Sequence, residues 1–313
     1  MEASSLNLSV ELAPSNRRGL LLANPAMPAA GTVGYGTDYA QLVDIEKLGA
    51  IVTKGTTLSP RPGNPQPRLF ETASGILNSI GLQNIGIDAV IGEKAPIWAT
   101  WRVPVIVNIA GESIDDYAQL ADKLEGVAGV SGIEVNISCP NVALGGMEFG
   151  KSPEAAAEVI QAVKSQTTLP VIVKLTPNVT DIASIARAVA DAGADAVSLI
   201  NTLAGMAIDI TERQPFLGGL TGGLSGPAIK PIALYMVYRV AKAVEIPIIG
   251  CGGIASADDA LEFIMAGASA VQIGTATMVN PSAPLEVLEG IERFMEREGV
   301  EDIAQLVGVA KAP

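Results

Sequence analysis

The sequence predicts an α/β protein built as a (β/α)8 TIM barrel, with insertions at the C-terminal face of the barrel. Three observations predict it. Short apolar runs alternate with Ala-rich helical stretches, and no linker separates the units. Eight of these runs read as strands, a count that favours a closed barrel over an open doubly wound sheet. Apolar residues make up 49% of the chain but aromatics only 4%, so the core must be built from Ala, Val, Ile and Leu. That mix suits parallel strands buried on both faces and covered by helices. A length of 313 residues fits a single barrel domain over residues 1–313.

Taken in order, Leu6 to Leu12 alternates weakly and reads as a small strand closing the far end of the barrel. The barrel strands are expected at 20–26, 49–53, 104–107, 132–137, 170–175, 195–200, 246–250 and 269–273. Helices are expected at 115–126, 153–166, 181–192, 228–243 and 257–266. Three of them follow start signals: Ser152-Pro153-Glu154, Thr180-Asp181 and Ser256-Ala257-Asp258-Asp259. The returns Leu48-Gly49-Ala50, Ala192-Gly193-Ala194 and Ala266-Gly267-Ala268 place a glycine at the end of each helix. Residues 55–103 and 201–227 exceed ordinary βα loops and are expected to form the substrate cover. Within the first, the stretch 57–70 with Pro60, Pro62, Pro65 and Pro67 is a stiff lid support or a surface loop.

Charge and cysteine usage exclude several classes. With 20 Lys and Arg against 33 Asp and Glu, the net charge of −13 argues against a nucleic-acid groove and gives no support to an anionic-membrane contact. Arg17-Arg18 precede an apolar run, but Asn24 and Pro25 cut it far short of a membrane span. Two cysteines and no secretory segment point to a reducing, cytoplasmic compartment. Two cysteines cannot supply the four ligands of an iron–sulfur cluster, and a chain without histidine is not expected to hold a typical zinc ion.

Polar residues close the apolar runs: Lys54, Asn108, Asn136 followed by Cys139, Lys174, Asn201-Thr202, Gly252-Gly253 and Gly274-Thr275. Barrel active sites are built at the C-terminal strand ends, so these groups should converge on one pocket. The glycine turns after the seventh and eighth strands suit a phosphate held by backbone N–H groups, because glycine lets the backbone approach the anion. Phosphate alone does not separate a flavin mononucleotide from a sugar phosphate. Lys174 can sit beside the N1–C2 carbonyl edge of a flavin or serve as a Schiff-base nucleophile. The asparagines favour the flavin, since amides match a heterocycle with alternating N–H and C=O groups. Without histidine, a proton-abstracting base must be Cys, Lys, Asp, Glu or Tyr. Cys139, just past a strand end and between Asn136 and Asn141, is the leading candidate, the other reading being a buried structural thiol. Cys251, between Gly250 and Gly252, reads as packing. Arg61 and Arg68 either steer an anionic substrate or are solvated surface groups.

These residues resemble the dihydroorotate dehydrogenase family, in particular its class 1B catalytic subunits. The segments that carry the resemblance are 78–84 (Asn78 to Asn84), 136–141 (Asn136 to Asn141), 173–178 (Val173 to Asn178), 200–202 (Ile200 to Thr202) and 221–231 (Thr221 to Pro231), and the likeness extends from about residue 6 to 298. The resemblance implies FMN at the barrel mouth. Its phosphate would be held by Gly226, Gly252-Gly253 and Gly274-Thr275, and its ring contacted by Ala30, Lys54-Gly55, Asn108, Asn136, Lys174 and Ile200. Ala30 stands where class 1B often has serine. The substrate (S)-dihydroorotate, converted to orotate in UMP biosynthesis, would be gripped by Lys54, the segment Asn78, Ser79, Ile80, Gly81 and Leu82, Asn136, and Asn201-Thr202. Cys139 would take a proton from C5 while hydride leaves C6 for flavin N5. Membrane-bound class 2 relatives use serine instead, so Cys139 argues against quinone coupling.

The resemblance further implies a homodimer of this chain, within a heterotetramer that contains two electron-transfer subunits carrying FAD and a [2Fe–2S] cluster and passing electrons to NAD+. The chain has no GxGxxG unit of its own. Alternatives are a fumarate-dependent class 1A-like enzyme, a dihydropyrimidine dehydrogenase-like subunit in which Lys54 would be dispensable, and a catalytically silent FMN-binding barrel. A tRNA-dihydrouridine synthase would need a basic RNA surface, which this acidic chain does not supply.

Overall fold

The computed structural model describes residues 6–137 and 149–310. In chain order its strands are β1 (Val10–Glu11), β2 (Leu21–Leu22), β3 (Ala26–Pro28), β4 (Ile51–Val52), β5 (Leu69–Thr72), β6 (Gly75–Asn78), β7 (Val105–Ile109), β8 (Gly132–Asn136), β9 (Val171–Leu175), β10 (Ala196–Leu199), β11 (Leu203–Gly205), β12 (Ile208–Asp209), β13 (Gln214–Pro215), β14 (Gly222–Ser225), β15 (Ile248–Cys251) and β16 (Ala270–Ile273). Eight of them form one parallel sheet in the order β3-β16-β15-β10-β9-β8-β7-β4. The Gly49 amide donates to the Ala26 carbonyl (2.9 Å) across the seam between β3 and β4. The fold is a (β/α)8 TIM barrel. Every residue of β7, β8 and β9 is buried, as strands covered on both faces require.

The helices Ile114–Leu124, Pro153–Gln166, Ile182–Asp191, Lys230–Ala241 and Ala257–Ala266 occupy the expected stretches. Their start signals act as caps: the side chains of Ser152, Asp181 and Ser256 accept from the amides of Ala155, Ala183 and Asp259. Each such cap contributes about 1 kcal/mol. Among the described residues no helix is long and apolar enough to cross a membrane.

Three local readings change. The first barrel strand is Ala26–Pro28 rather than 20–26. Leu21–Leu22 instead pairs antiparallel with Val10–Glu11, so the predicted N-terminal strand is one arm of a hairpin. Asn24-Pro25 separates the two pieces: Pro25 lacks an N–H, and Asn24 turns the chain by donating to the Lys47 carbonyl (2.8 Å) and accepting from the Ala26 amide (3.1 Å). Second, Gly193 and Gly267 end their helices at φ +96 and +123, but Gly49 has no left-handed φ. A Cβ there would lie 2.1 Å from the Asn24 carbonyl oxygen, so glycine is required for closure of the barrel seam. Third, the insertions carry strands that the sequence reading did not resolve. They supply a four-stranded antiparallel sheet, β11-β14-β6-β5, whose strands come from both.

The β1–β2 hairpin covers the N-terminal end of the barrel, where Leu12, Leu20 and Leu22 are buried. Beside it, Glu125 accepts hydrogen bonds from Thr167 Oγ1 (2.6 Å) and from the Thr168 amide (2.8 Å) and hydroxyl (2.9 Å), and pairs with Arg18. The Thr167 bond is the largest influence bringing its pKa from 4.5 down to about 2. Because the folded-state value is depressed, the stabilisation is present above the unfolded pKa and is lost as pH falls through the interval down to about 2. Solvent reaches this group, so Glu125→Ala is expected to cost about 1–2 kcal/mol at pH 7. Denaturant titrations at pH 7 and pH 2.5 check this: the cost should shrink at the lower pH.

Candidate functional site

One parallel sheet delivers its C-terminal strand ends to a common mouth. Lys54 follows β4, Asn108 lies on β7, Asn136 ends β8, Lys174 lies on β9, and Ile200 to Thr202 follow β10. Gly252-Gly253 and Gly274-Thr275 follow β15 and β16. Register places Asn136 beside Lys174 and Lys174 beside Ser198. Asn108, Asn136, Lys174 and Ile200 are all buried.

Beneath the mouth lies a buried polar network that the sequence reading did not single out. Glu134 on β8 is 0% exposed. It accepts from Asn108 Nδ2 (2.7 Å), Ser198 Oγ (2.8 Å) and Gln272 Nε2 (2.7 Å). Gln272 Oε1 in turn accepts from Lys174 Nζ (2.7 Å). Strands β7, β8, β9, β10 and β16 all contribute, and β7 and β16 are not neighbours in the sheet, so the network crosses the barrel interior. A carboxylate in such a place is tolerable only when its oxygens are fully hydrogen-bonded. Asn108 Oδ1 is buried with no hydrogen-bond partner among the described residues. It faces the mouth beside Gly55, where a Cβ would lie 3.2 Å from it. A signal was present in the sequence: single polar residues interrupt the apolar strands at Glu134, Ser198 and Gln272.

On the opposite side the glycines converge. A Cβ on Gly253 would meet the Lys230 amide nitrogen at 2.8 Å and the Gly226 carbonyl at 2.9 Å. Gly226, at φ +97, faces Thr275, where a Cβ would lie 3.5 Å from Thr275 Cγ2. Gly274 starts the short helix Thr275–Val279, and Thr275 Oγ1 donates to Ser225 Oγ (2.8 Å). The result is a concave backbone with left-handed glycines at φ +97, +129 and +79 (Gly226, Gly252, Gly253), which suits an anion.

The insertions form the roof. Asn78 on β6 pairs with Gly223 on β14, and its Nδ2 donates to the Gly223 carbonyl (3.2 Å). A Cβ on Gly223 would sit 1.9 Å from Thr202 Oγ1, so the antiparallel sheet seats directly on Asn201-Thr202. Asn201 Oδ1 accepts from the Thr202 amide (2.9 Å). Asn64 holds the next segment, donating to Ser79 Oγ (2.9 Å) and to the Ile80 carbonyl through its backbone amide (3.0 Å). Gly81 and Leu82 are both left-handed, at φ +73 and +52, and Asn84 Nδ2 ties down the Leu82 carbonyl at 2.8 Å. Arg68 braces this loop by donating to the carbonyls of Asn64 and Pro62 and to Gln83. Burial pushes the Lys54 ammonium below the usual 10.5, and the Arg68 charge nearby pushes it further.

Arg61 is not free; it pairs with Glu112, three residues past the end of β7. Ala30 is half-buried in the turn after β3. Cys251 is a buried free thiol on β15, as packing requires. Cys139, with Ser138, Pro140 and Asn141, lies outside the described residues.

Known proteins are similar to this chain over nearly its whole length. The family model described as "Dihydroorotate dehydrogenase" matches residues 13–295. A protein of Pelobacter propionicus named "Dihydroorotate dehydrogenase B (NAD(+)), catalytic subunit" is 58% identical over 293 residues, covering 94% of this chain and 96% of its own length. Proteins of the same name from Desulforamulus reducens and Geotalea uraniireducens are 57% and 55% identical, covering 97% and 96% of this chain and 99% and 97% of their own.

Proposed function

We propose that this chain, which belongs to the dihydroorotate dehydrogenase family, oxidises (S)-dihydroorotate to orotate in de novo pyrimidine biosynthesis, with NAD+ as the final electron acceptor. The observation that carries the reading is the placement of the glycine cradle, Lys174 and the orphan Asn108 Oδ1 at one mouth, with Lys54 under the roof. The residues present fit FMN. A Cβ on Gly226 or Gly253 would run into Gly75 or Lys230, so glycine lets these turns pack closely with their backbone bare, and the cradle glycines Gly226, Gly252-Gly253 and Gly274-Thr275 would hold the phosphate. Lys174, Asn136, Asn108, Lys54-Gly55, Ile200 and Ala30 would contact the ring. Bound FMN would supply a two-electron acceptor for the hydride leaving C6 of the substrate.

The chain's own residues do the rest. Lys54 and the segment Asn78, Ser79, Ile80, Gly81 and Leu82 hold the carboxylate end of dihydroorotate; Asn136 and Asn201-Thr202 hold the pyrimidine amides. Cys139, three residues beyond Asn136 in the chain, takes the C5 proton. The roof sheet excludes water from the reacting face. The chain acts as one FMN-binding domain of the cytoplasm, paired as a homodimer and served by a separate subunit carrying FAD and a [2Fe–2S] cluster. The direct test is anaerobic mixing of the purified chain with dihydroorotate. The flavin absorbance should bleach; a flavin-loaded protein that stays oxidised would overturn the assignment.

Two further results are expected. Lys174→Ala should weaken FMN retention by about 10- to 100-fold, the value of one or two charge-assisted hydrogen bonds, and shift the flavin midpoint to more negative potential. A redox titration with normal FMN content and an unshifted midpoint would exclude this role. Lys54 gives a pH signature: because its pKa lies below 10.5, orotate affinity should fall as pH rises through that lowered value, earlier than for an ordinary lysine. Equilibrium titration of orotate from pH 7 to 10 on the Cys139→Ser variant reads this without the thiol titrating in the same range, and adding Lys54→Arg should flatten the profile.

A further inference from the structure

We infer that Glu134 and Gln272 are positioning residues that set the direction of the Lys174 ammonium. The inference rests on the FMN reading, and it explains why a charged carboxylate is kept wholly inside an apolar barrel.

A carboxylate only accepts hydrogen bonds. Glu134 accepts three, from Asn108 Nδ2 (2.7 Å), Ser198 Oγ (2.8 Å) and Gln272 Nε2 (2.7 Å). Both amides must therefore turn their NH2 groups inward and their carbonyl oxygens outward. For Gln272 that leaves Oε1 facing Lys174, whose Nζ donates to it at 2.7 Å. For Asn108 it leaves Oδ1 facing the mouth without a partner among the described residues. Glu134, Ser198 and Gln272 are each 0% exposed, so no water competes for these bonds or lets an amide rotate cheaply. Lys174 itself is 5% exposed and makes no second hydrogen bond among the described residues, so the Gln272 carbonyl alone orients it there. The charge of Glu134 reaches the mouth through one amide, as orientation rather than as an ion pair.

Glu134→Gln tests the chain of bonds with almost no change of shape. The new amide can keep its oxygen toward Asn108, but its NH2 then meets the NH2 of Gln272, two donors in contact. In that orientation Gln272 must flip, presenting its NH2 to the Lys174 ammonium and driving it away; in the opposite orientation Asn108 flips instead and turns its NH2 to the mouth. Adding Gln272→Glu repairs the order. In that double variant the amide at position 134 donates to the carboxylate at position 272, whose second oxygen accepts from Lys174, while the buried charge is unchanged.

The experiment measures the FMN dissociation constant by flavin fluorescence on the full chain, for wild type, Glu134→Gln and the swapped pair. Glu134→Gln should raise the constant about tenfold, the loss of one hydrogen bond to a charged group, and the swapped pair should recover most of it. A residue that only packs would not be rescued by exchanging charge with its neighbour. Wild type that binds no FMN would remove the functional reading and this inference together. Wild type that binds FMN beside a Glu134→Gln variant of equal affinity, or a swapped pair no better than the single variant, overturns the positioning role alone. Should Glu134→Gln not fold, Gln272→Leu keeps Glu134 charged and deletes only the amide that faces Lys174. The same loss of affinity is then expected, and unchanged affinity overturns the inference.

Discussion

Cys139→Ser is expected to slow flavin reduction by dihydroorotate by about 10²–10⁴-fold near neutral pH while FMN stays bound, the range that a positioned general base contributes. A free thiol ordinarily titrates at about 8.5, so thiols in general give a useful fraction of thiolate near neutral pH, whereas a serine hydroxyl without an activating base is far weaker. The chain contains no histidine to activate that hydroxyl. The substitution is nearly isosteric, and apart from Asn136 the groups proposed to hold FMN lie on other strand ends, so cofactor content should be unchanged. Anaerobic single-turnover mixing across pH 6 to 9 is the check. The wild-type rate should climb with pH as the thiolate forms, and the variant should stay low. Equal single-turnover rates would remove Cys139 from the role of base.

The second large effect concerns the acceptor. The purified chain, loaded with FMN, is expected to reduce its flavin with dihydroorotate and to show no steady NAD+ reduction without a partner subunit. In the proposed assignment the strand-end polar groups are taken up by one phosphate cradle, one ring and one small substrate. The parts for a second cofactor are missing from the sequence: there is no GxGxxG unit to seat a dinucleotide, and two cysteines cannot ligate an iron–sulfur cluster. Small artificial dyes should accept electrons from the reduced chain directly. Adding a subunit that carries FAD and a [2Fe–2S] cluster should restore NAD+ reduction. Sustained NADH formation by the single chain would overturn the division of labour proposed here.

The barrel was legible in the sequence because parallel strands buried on both faces leave continuous apolar runs, and β7, β8 and β9 are buried throughout. Helix starts were equally plain, since Ser152, Asp181 and Ser256 cap through contacts only two or three residues away. The strand-end residues Lys54, Asn108, Asn136 and Lys174 could be found for the same reason: chain direction in a parallel barrel dictates which end carries the site. Local sequence therefore determined the class of fold, the mouth and most of the residues around it.

Tertiary structure alone decided the rest. The insertion sheet β11-β14-β6-β5 joins strands from segments far apart in the chain, such as Gly223 opposite Asn78, and no local period announces such pairing. The displaced first strand follows from a competition between hairpin and barrel at Asn24-Pro25. Gly49 reads like a helix end in sequence but serves close backbone approach at the seam, which depends on a carbonyl 25 residues earlier at Asn24. Most telling is Gln272, which bonds Glu134 across 138 residues and Lys174 across 98. Taken alone, each is a polar residue interrupting an apolar strand. Only barrel closure brings the three side chains together away from water, where the acceptor-only carboxylate decides which way each amide must face.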